Sequence, residues 1–165
     1  MITIEPIGPG NAETYKAVRL RALLDTPSAF GSTYARESQF TDAEWMKRVN
    51  NANGEKGIGY LAMEGDVACG IAGGLLDKED ATRASLVSMW TAPSHRQRGV
   101  GRLLVDEVIG WAQSREVRRM LLMVVSTNQP AILFYKRLGF TFTGRTEPYP
   151  NDRTLIEFEM SREIL

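Results

Sequence analysis

The stretch Thr91-Ala92-Pro93-Ser94-His95-Arg96-Gln97-Arg98-Gly99-Val100-Gly101-Arg102-Leu103-Leu104 decides how the rest of the chain is read. It joins an apolar run, Leu86 to about Thr91, to a helical pattern through a basic turn punctuated by glycine. Glycines at 99 and 101 remove Cβ atoms where a ligand must approach the main chain. A helix starting there offers unpaired N–H groups and the positive end of its dipole. That is an anion cradle, and a diphosphate is its natural occupant. Two familiar glycine motifs do not fit. The dinucleotide fingerprint needs a third glycine where Leu104 stands, and the nucleotide-triphosphate loop needs Gly-Lys-Ser/Thr after its spacers.

A second signal lies downstream, at Asn128-Gln129-Pro130-Ala131-Ile132-Leu133-Phe134-Tyr135-Lys136-Arg137-Leu138-Gly139-Phe140, directly after the apolar run Met120 to Val125. Arg96-x-x-Gly99-x-Gly101, preceded by Thr-x-Pro, resembles the acetyl-CoA motif of the GNAT superfamily of N-acetyltransferases. Asn128, Ala131, Tyr135, Gly139 and Phe140 match that family's second motif, in the right order. The resemblance covers residues 84 to 143 well and the flanks in outline.

Composition agrees with an enzyme-sized unit. The chain has 165 residues, 43% of them hydrophobic, which is enough for one domain over 1–165 with a sizeable core. Twenty basic and 20 acidic side chains leave no net charge, so nothing points to bulk attraction for nucleic acid or an anionic membrane. A single cysteine excludes an internal disulfide, and one histidine argues against a histidine-built metal site. No cationic leader precedes an apolar stretch, and no apolar run is long enough to span a bilayer. A cytoplasmic location is the expectation.

Periodicity supplies the order of elements. Ile2 and Ile4 form a first strand, and Asn11 opens a helix through Ala17, Leu20, Leu23 and Leu24 that Pro27 stops. After an irregular stretch from Asp25 to Phe40, Thr41-Asp42-Ala43-Glu44 reads as a capping box for a second helix. Ile58 to Glu64 and Val67 to Leu76 form a hairpin around Gly65-Asp66, and the fourth strand follows from Leu86. Val100, Leu103, Leu104, Val108 and Trp111 recur at helical spacing and return the chain to a fifth strand, Met120 to Val125. A fourth helix has Pro130 in its first turn and Gly139 past its end. Strands near Thr141 to Gly144 and Thr154 to Met160 close the chain. The expected α/β mixed sheet has about seven strands and four helices. It is the order of the GNAT fold, whose fourth and fifth strands are parallel and splay apart.

The resemblance implies a division of labour. The main chain of Met89, Trp90 and Thr91 would bond the pantetheine amides of acetyl-CoA. Arg96, Gln97, Arg98, Gly99, Val100, Gly101 and Arg102 would wrap the diphosphate, with Arg137 near the ribose phosphate. Met89 and Trp90 side chains are also natural core residues. Asn128 suits a helix cap as well as a cofactor contact. Tyr135 would protonate the departing thiolate, a transfer worth about 10² to 10⁴ in rate, and a main-chain N–H at the fourth-strand bulge would polarise the carbonyl oxygen. Cys69 reads as a small buried hydrophobe and His95 as exposed.

The base is not written in the strands. Neither Leu86-Val87-Ser88-Met89-Trp90 nor Leu121-Leu122-Met123-Val124-Val125 offers the glutamate that many family members carry. Neutralising a lysine-like amine at pH 7 costs roughly 4.6 kcal/mol, against about 1.4 for an α-amine near pKa 8, so the gap favours a low-pKa amine. Glu37 is the first candidate base, with Glu157 and Glu159 behind it. Phe30, Tyr34 and Phe40 in the first lid, and the segment Arg145 to Arg153 with Tyr149, are candidates for contacting the acceptor. The expected partner is an amine-bearing small molecule or peptide. Edge strands at the carboxyl end offer pairing to a second copy, giving a homodimer. The competing function class is a GNAT-like sensor or scaffold that binds acyl-CoA without efficient transfer.

Overall fold

The computed structural model describes residues 1–165 throughout. The elements are β1 (Ile2–Pro6), α1 (Ala12–Asp25), α2 (Tyr34–Glu37), α3 (Asp42–Asn51), β2 (Gly57–Glu64), β3 (Val67–Leu76) and β4 (Arg83–Thr91). Then come α4 (Val100–Ser114), β5 (Arg119–Val125), α5 (Gln129–Arg137), β6 (Thr141–Pro148) and β7 (Ile156–Glu163). The strands form one seven-stranded sheet in the order β1-β2-β3-β4-β5-β7-β6. Only β4 and β5 run parallel, joined by the α4 crossover, while the other neighbours are antiparallel.

The expected architecture is present, with two differences. The stretch before Thr41 contains the single turn α2, so there are five α-helices where four were expected. Thr33 starts that turn by accepting the Arg36 N–H at 3.2 Å, and its last residue, Glu37, is fully buried. Second, α1 presents a different face. Tyr15, Val18, Arg19, Ala22 and Leu23 are buried, whereas Leu24 is exposed. The Thr41 hydroxyl accepts the Glu44 N–H at 3.1 Å, and Gly65 at φ +61 turns the β2–β3 hairpin, both as the sequence predicts.

Packing of α4 fixes the framework around the crossover. Leu104, Val105 and Val108 are wholly buried against β2, β3 and β4, each burial worth about 1.5–3 kcal/mol. Gly74 lets the helix come close, since a Cβ there would lie 2.8 Å from the Trp111 ring. No helix is long and apolar enough to cross a membrane.

Two irregularities open the sheet. β4 and β5 pair only at Arg83↔Arg119, Ala84↔Met120 and Ser85↔Leu121, then diverge. On its other side β4 carries a bulge. Val87 faces Gly73 and Trp90 faces Ile71, so Ser88 and Met89 together oppose Ala72. Ser88 has φ +56, a left-handed conformation uncommon for a residue with a Cβ.

Candidate active site

The divergence of β4 and β5 produces a cavity of about 1740 Å³ lined by both strands, the start of α4, α5, the segment 28–31 and parts of β6 and β7. Along its β4 wall, residues 86–91 have lost β5 as a hydrogen-bonding neighbour. That leaves an open strand edge inside the molecule, where unpaired main-chain groups need a partner.

The cradle lies at one end. The N–H groups of residues 97–102 find no acceptor in the protein. Gln97 at φ +61 and Gly99 at φ +81 turn this segment through left-handed conformations, the kind of backbone that gathers successive N–H groups into an anion-binding concavity. The α4 dipole adds to it. Gly99 is there for its dihedral angle. Gly101 has another reason than the one predicted: a Cβ on it would lie 2.9 Å from Phe134 Cζ and 3.1 Å from Met89 Cε. Gly101 therefore seats α4 against α5 and β4.

The arginines divide. Arg102 and Arg137 are exposed, line the cavity, and have no carboxylate closer than the 4.0 Å between Arg102 and Asp106. Arg96 also lines it but is engaged, its Nη2 donating to Asp25 Oδ2 at 2.6 Å and its Nε to the Thr91 carbonyl at 3.1 Å. Arg98 does not line the cavity. Its Nη2 donates to Glu64 Oε2 at 2.8 Å, so only its main chain belongs to the cradle. His95 is buried rather than exposed, because the turn begun by Pro93 folds its ring back to Glu64, 3.1 Å from Nε2.

Apolar and polar side chains mix along the walls of β4 and α5. Met89, Trp90 and Phe134 line the cavity, with the Trp90 side chain largely buried and its Nε1 donating to Asp25 Oδ2 at 3.0 Å. Asn128 caps α5, its Oδ1 accepting the Ala131 N–H at 3.3 Å, and it also lines the cavity. Tyr135 projects from α5 and is 9% exposed, its ring stacked edgewise on Phe140. Its hydroxyl has no protein hydrogen-bond partner and is not sealed from the cavity. Burial pushes the phenol up from its ordinary value, so it is protonated at neutral pH.

The part of the wall contributed by β6 and β7 is acidic. Glu147 and Glu157 stand opposite each other across β6 and β7, and Glu159 lies on the same strand as Glu157. Arg145 pairs with Glu147 and, at 3.4 Å, with Glu159. Glu157, half-buried, has no ion-pair or hydrogen-bond partner. Burial, then the charge of Glu147, raise its carboxyl above the ordinary value.

Glu37 is not placed as a base. It is 0% exposed and outside the cavity lining. Arg19 grips it through Nε and Nη2, both at 2.9 Å, and Arg48 Nη1 adds a contact at 2.6 Å. Burial raises its carboxyl, but the hydrogen bonds and charge of Arg19, with Arg48 behind, outweigh this and hold it at about 2. A carboxylate that acidic and that enclosed takes no proton from an amine.

The candidate acceptor residues also separate. Phe30 lines the cavity, with the Arg19 guanidinium 4.7 Å from its ring centre. Tyr149 does not line it. Its hydroxyl donates to the carbonyls of Phe30 at 2.7 Å and Pro27 at 3.1 Å, clamping the β6–β7 connection onto the first lid. Tyr34 is exposed and does not line the cavity, and Phe40 packs edgewise on Trp45. Cys69 is buried, with its thiol raised by burial. Arg19 was missed. Its signal in the sequence, a charge between Val18 and Leu20 on a helix, does not show which way the side chain faces.

Comparisons with known proteins bear on the fold and the family. A streptothricin acetyltransferase from Streptomyces lavendulae is 37% identical over 62 residues, 38% of this chain and 33% of that protein. The chain thus spans about a third of that relative's length. The crystal structure of an acetyltransferase of the GNAT family from Streptococcus pneumoniae superposes with a TM-score of 0.84 at 24% identity, covering 99% of this chain and 100% of that one. The PaiA N-acetyltransferase from Thermoplasma acidophilum, solved in complex with coenzyme A, gives 0.78 at 15% identity over 99% of each chain. The sequence model of the acetyltransferase (GNAT) family matches residues 20–140. This chain belongs to that family.

Proposed function

We propose that the chain transfers the acetyl group of acetyl-CoA to a primary amine of a small molecule or peptide, in a ternary complex without an acyl-enzyme. One observation carries the reading. The free N–H groups of residues 97–102, the open edge of β4 and an unpartnered, protonated Tyr135 hydroxyl belong to one cavity. A ligand with a diphosphate, an amide-bearing arm and a terminal reacting group fits such a sequence of features. The likeness to a protein solved with coenzyme A supports it.

Acetyl-CoA would supply an activated thioester carbonyl for attack by the amine. The protein's part is positioning and proton movement. The N–H groups of 97–102, with Arg102 and Arg137, hold the diphosphate, while residues 86–91 offer main-chain partners to the arm. Gly101 matters by keeping α4, Phe134 and Met89 in register. Tyr135 donates a proton to the sulfur. Glu157 replaces Glu37 as the proton acceptor, since it is the unpaired carboxylate of the cavity and its raised pKa narrows the gap to an ammonium. The acidic wall of β6 and β7 would attract the acceptor as a cation before that proton leaves.

A panel of amines offered with acetyl-CoA, followed by thiol release, tests the assignment. Release that depends on a primary amine supports it. Tight cofactor binding with no release for any amine would favour a sensor instead.

A further inference from the structure

Glu37 and Arg19 are buried charged groups for which acetyl transfer has no direct use. We infer that they form a positioning device, in which the Arg19 guanidinium, locked by Glu37, holds Ser88 in the left-handed conformation that keeps the β4 bulge open toward the thioester. This rests on the reading of the cavity as the thioester site.

The geometry is complete at each joint. Two of the three guanidinium nitrogens of Arg19, Nε and Nη2, are taken by the two oxygens of Glu37, both at 2.9 Å. The third, Nη1, donates to Ser88 Oγ at 2.8 Å. Arg19 is 6% exposed and Glu37 0%, so neither can be redirected by solvent. Arg48 supplies a second positive charge to Glu37 at 2.6 Å, anchoring the carboxylate to α3. The fork thus has one orientation available, and its free arm points at one hydroxyl.

That hydroxyl belongs to the residue with the unusual backbone. Ser88 sits at φ +56 and, with Met89, opposes Ala72 alone. A serine gains nothing locally from such a dihedral angle, so an external tether has to maintain it. Met89 follows immediately, its side chain against Gly101 on the α4 side. One tether therefore pulls Ser88 toward α1 while its neighbour packs toward α4. The peptide between them is held across the gap that β5 has left. Lysine could not replace Arg19 here, because a single ammonium lacks the planar fork that serves two partners at fixed angles.

The experiment uses acetyl-CoA labelled with ¹³C at the thioester carbonyl, bound to the full chain, with affinity read by calorimetry and carbonyl polarisation by the ¹³C shift. Arg19→Lys, Glu37→Gln and Ser88→Ala should bind within about twofold of the wild type. Each should move the bound carbonyl resonance back toward its free value and lower kcat at least tenfold with the most active amine. Ser88→Gly, which loses the hydroxyl but adopts positive φ without strain, should retain more of both signals than Ser88→Ala. Should Glu37→Gln fail to fold, the serine pair still decides. An unaltered carbonyl shift in Ser88→Ala with binding intact overturns the device and leaves the acetyltransferase reading standing. A wild type that binds no acetyl-CoA overturns both.

Discussion

Replacing Glu37 by glutamine should change the pH dependence of folding by a calculable amount. Its carboxyl lies at about 2 against an ordinary 4.5. At about 1.4 kcal/mol per pH unit, that difference is ~3 kcal/mol of stability at pH 7. The folded-state pKa is depressed, so this contribution is fully present above about 4.5 and is lost as pH falls through 2. About 2 kcal/mol of it should be gone by pH 3. Other carboxylates titrate over the same range, so the quantity to measure is a difference: urea unfolding of wild type and Glu37→Gln at pH 7, 5, 4 and 3. The gap between the two proteins should be widest at pH 7 and 5 and should shrink by about 2 kcal/mol at pH 3. At pH 7 the gap should exceed ~3 kcal/mol, because the variant also leaves the buried Arg19 without its counter-charge. A gap that stays constant from pH 7 to 3 would refute the argument, since it would mean that Glu37 titrates alike in folded and unfolded chains.

Tyr135→Phe should reduce kcat by about 10² or more with coenzyme A affinity little changed, as stopped-flow and calorimetry would show; unchanged turnover would remove the phenol as proton donor. Glu157→Gln should lower kcat/KM and abolish the acidic limb of its pH profile, a limb that wild type should show above the ordinary glutamate pKa because burial and Glu147 raise the group. A limb that survives in the variant would assign it to another residue. Gly99→Val, at φ +81, should cost about 1–2 kcal/mol of local strain and weaken coenzyme A binding roughly tenfold by calorimetry. Equal affinity would show that the cradle does not depend on that turn.

How much of this was legible in the sequence depends on the range of the interactions. The crossover from β4 through α4 to β5, the caps at Thr41 and Asn128, and the stop at Pro27 are local, written in spacing and in residues with one conformational use. Gly99 belongs with them, because φ +81 is a property of a turn. Gly101 looked the same on paper, but its need for a missing Cβ comes from Phe134, on another helix. Charged residues were the least legible. Arg19 and Glu37 are 18 positions apart and Ser88 is 69 from Arg19, so only tertiary structure could show a shared buried site. The buried face of α1 is hidden in the sequence for the same reason. Leu24 fitted the helical spacing yet is exposed, while Arg19 turns inward because its partners are there. Tyr149 reads in the sequence as an aromatic contact for the acceptor, but its hydroxyl serves the lid carbonyls of Pro27 and Phe30 instead. Glu157 could be ranked above Glu37 only once the Glu147↔Glu157 register and the absence of a counter-charge were visible.

The most direct test of the whole account is a crystal structure with coenzyme A, paired with calorimetric titration of the same protein. The diphosphate should lie against the N–H groups of residues 97–102, with the sulfur-bearing arm between β4 and β5 and its end near Tyr135. No heat on titration, together with crystals in which that groove stays empty at saturating coenzyme A, would contradict it.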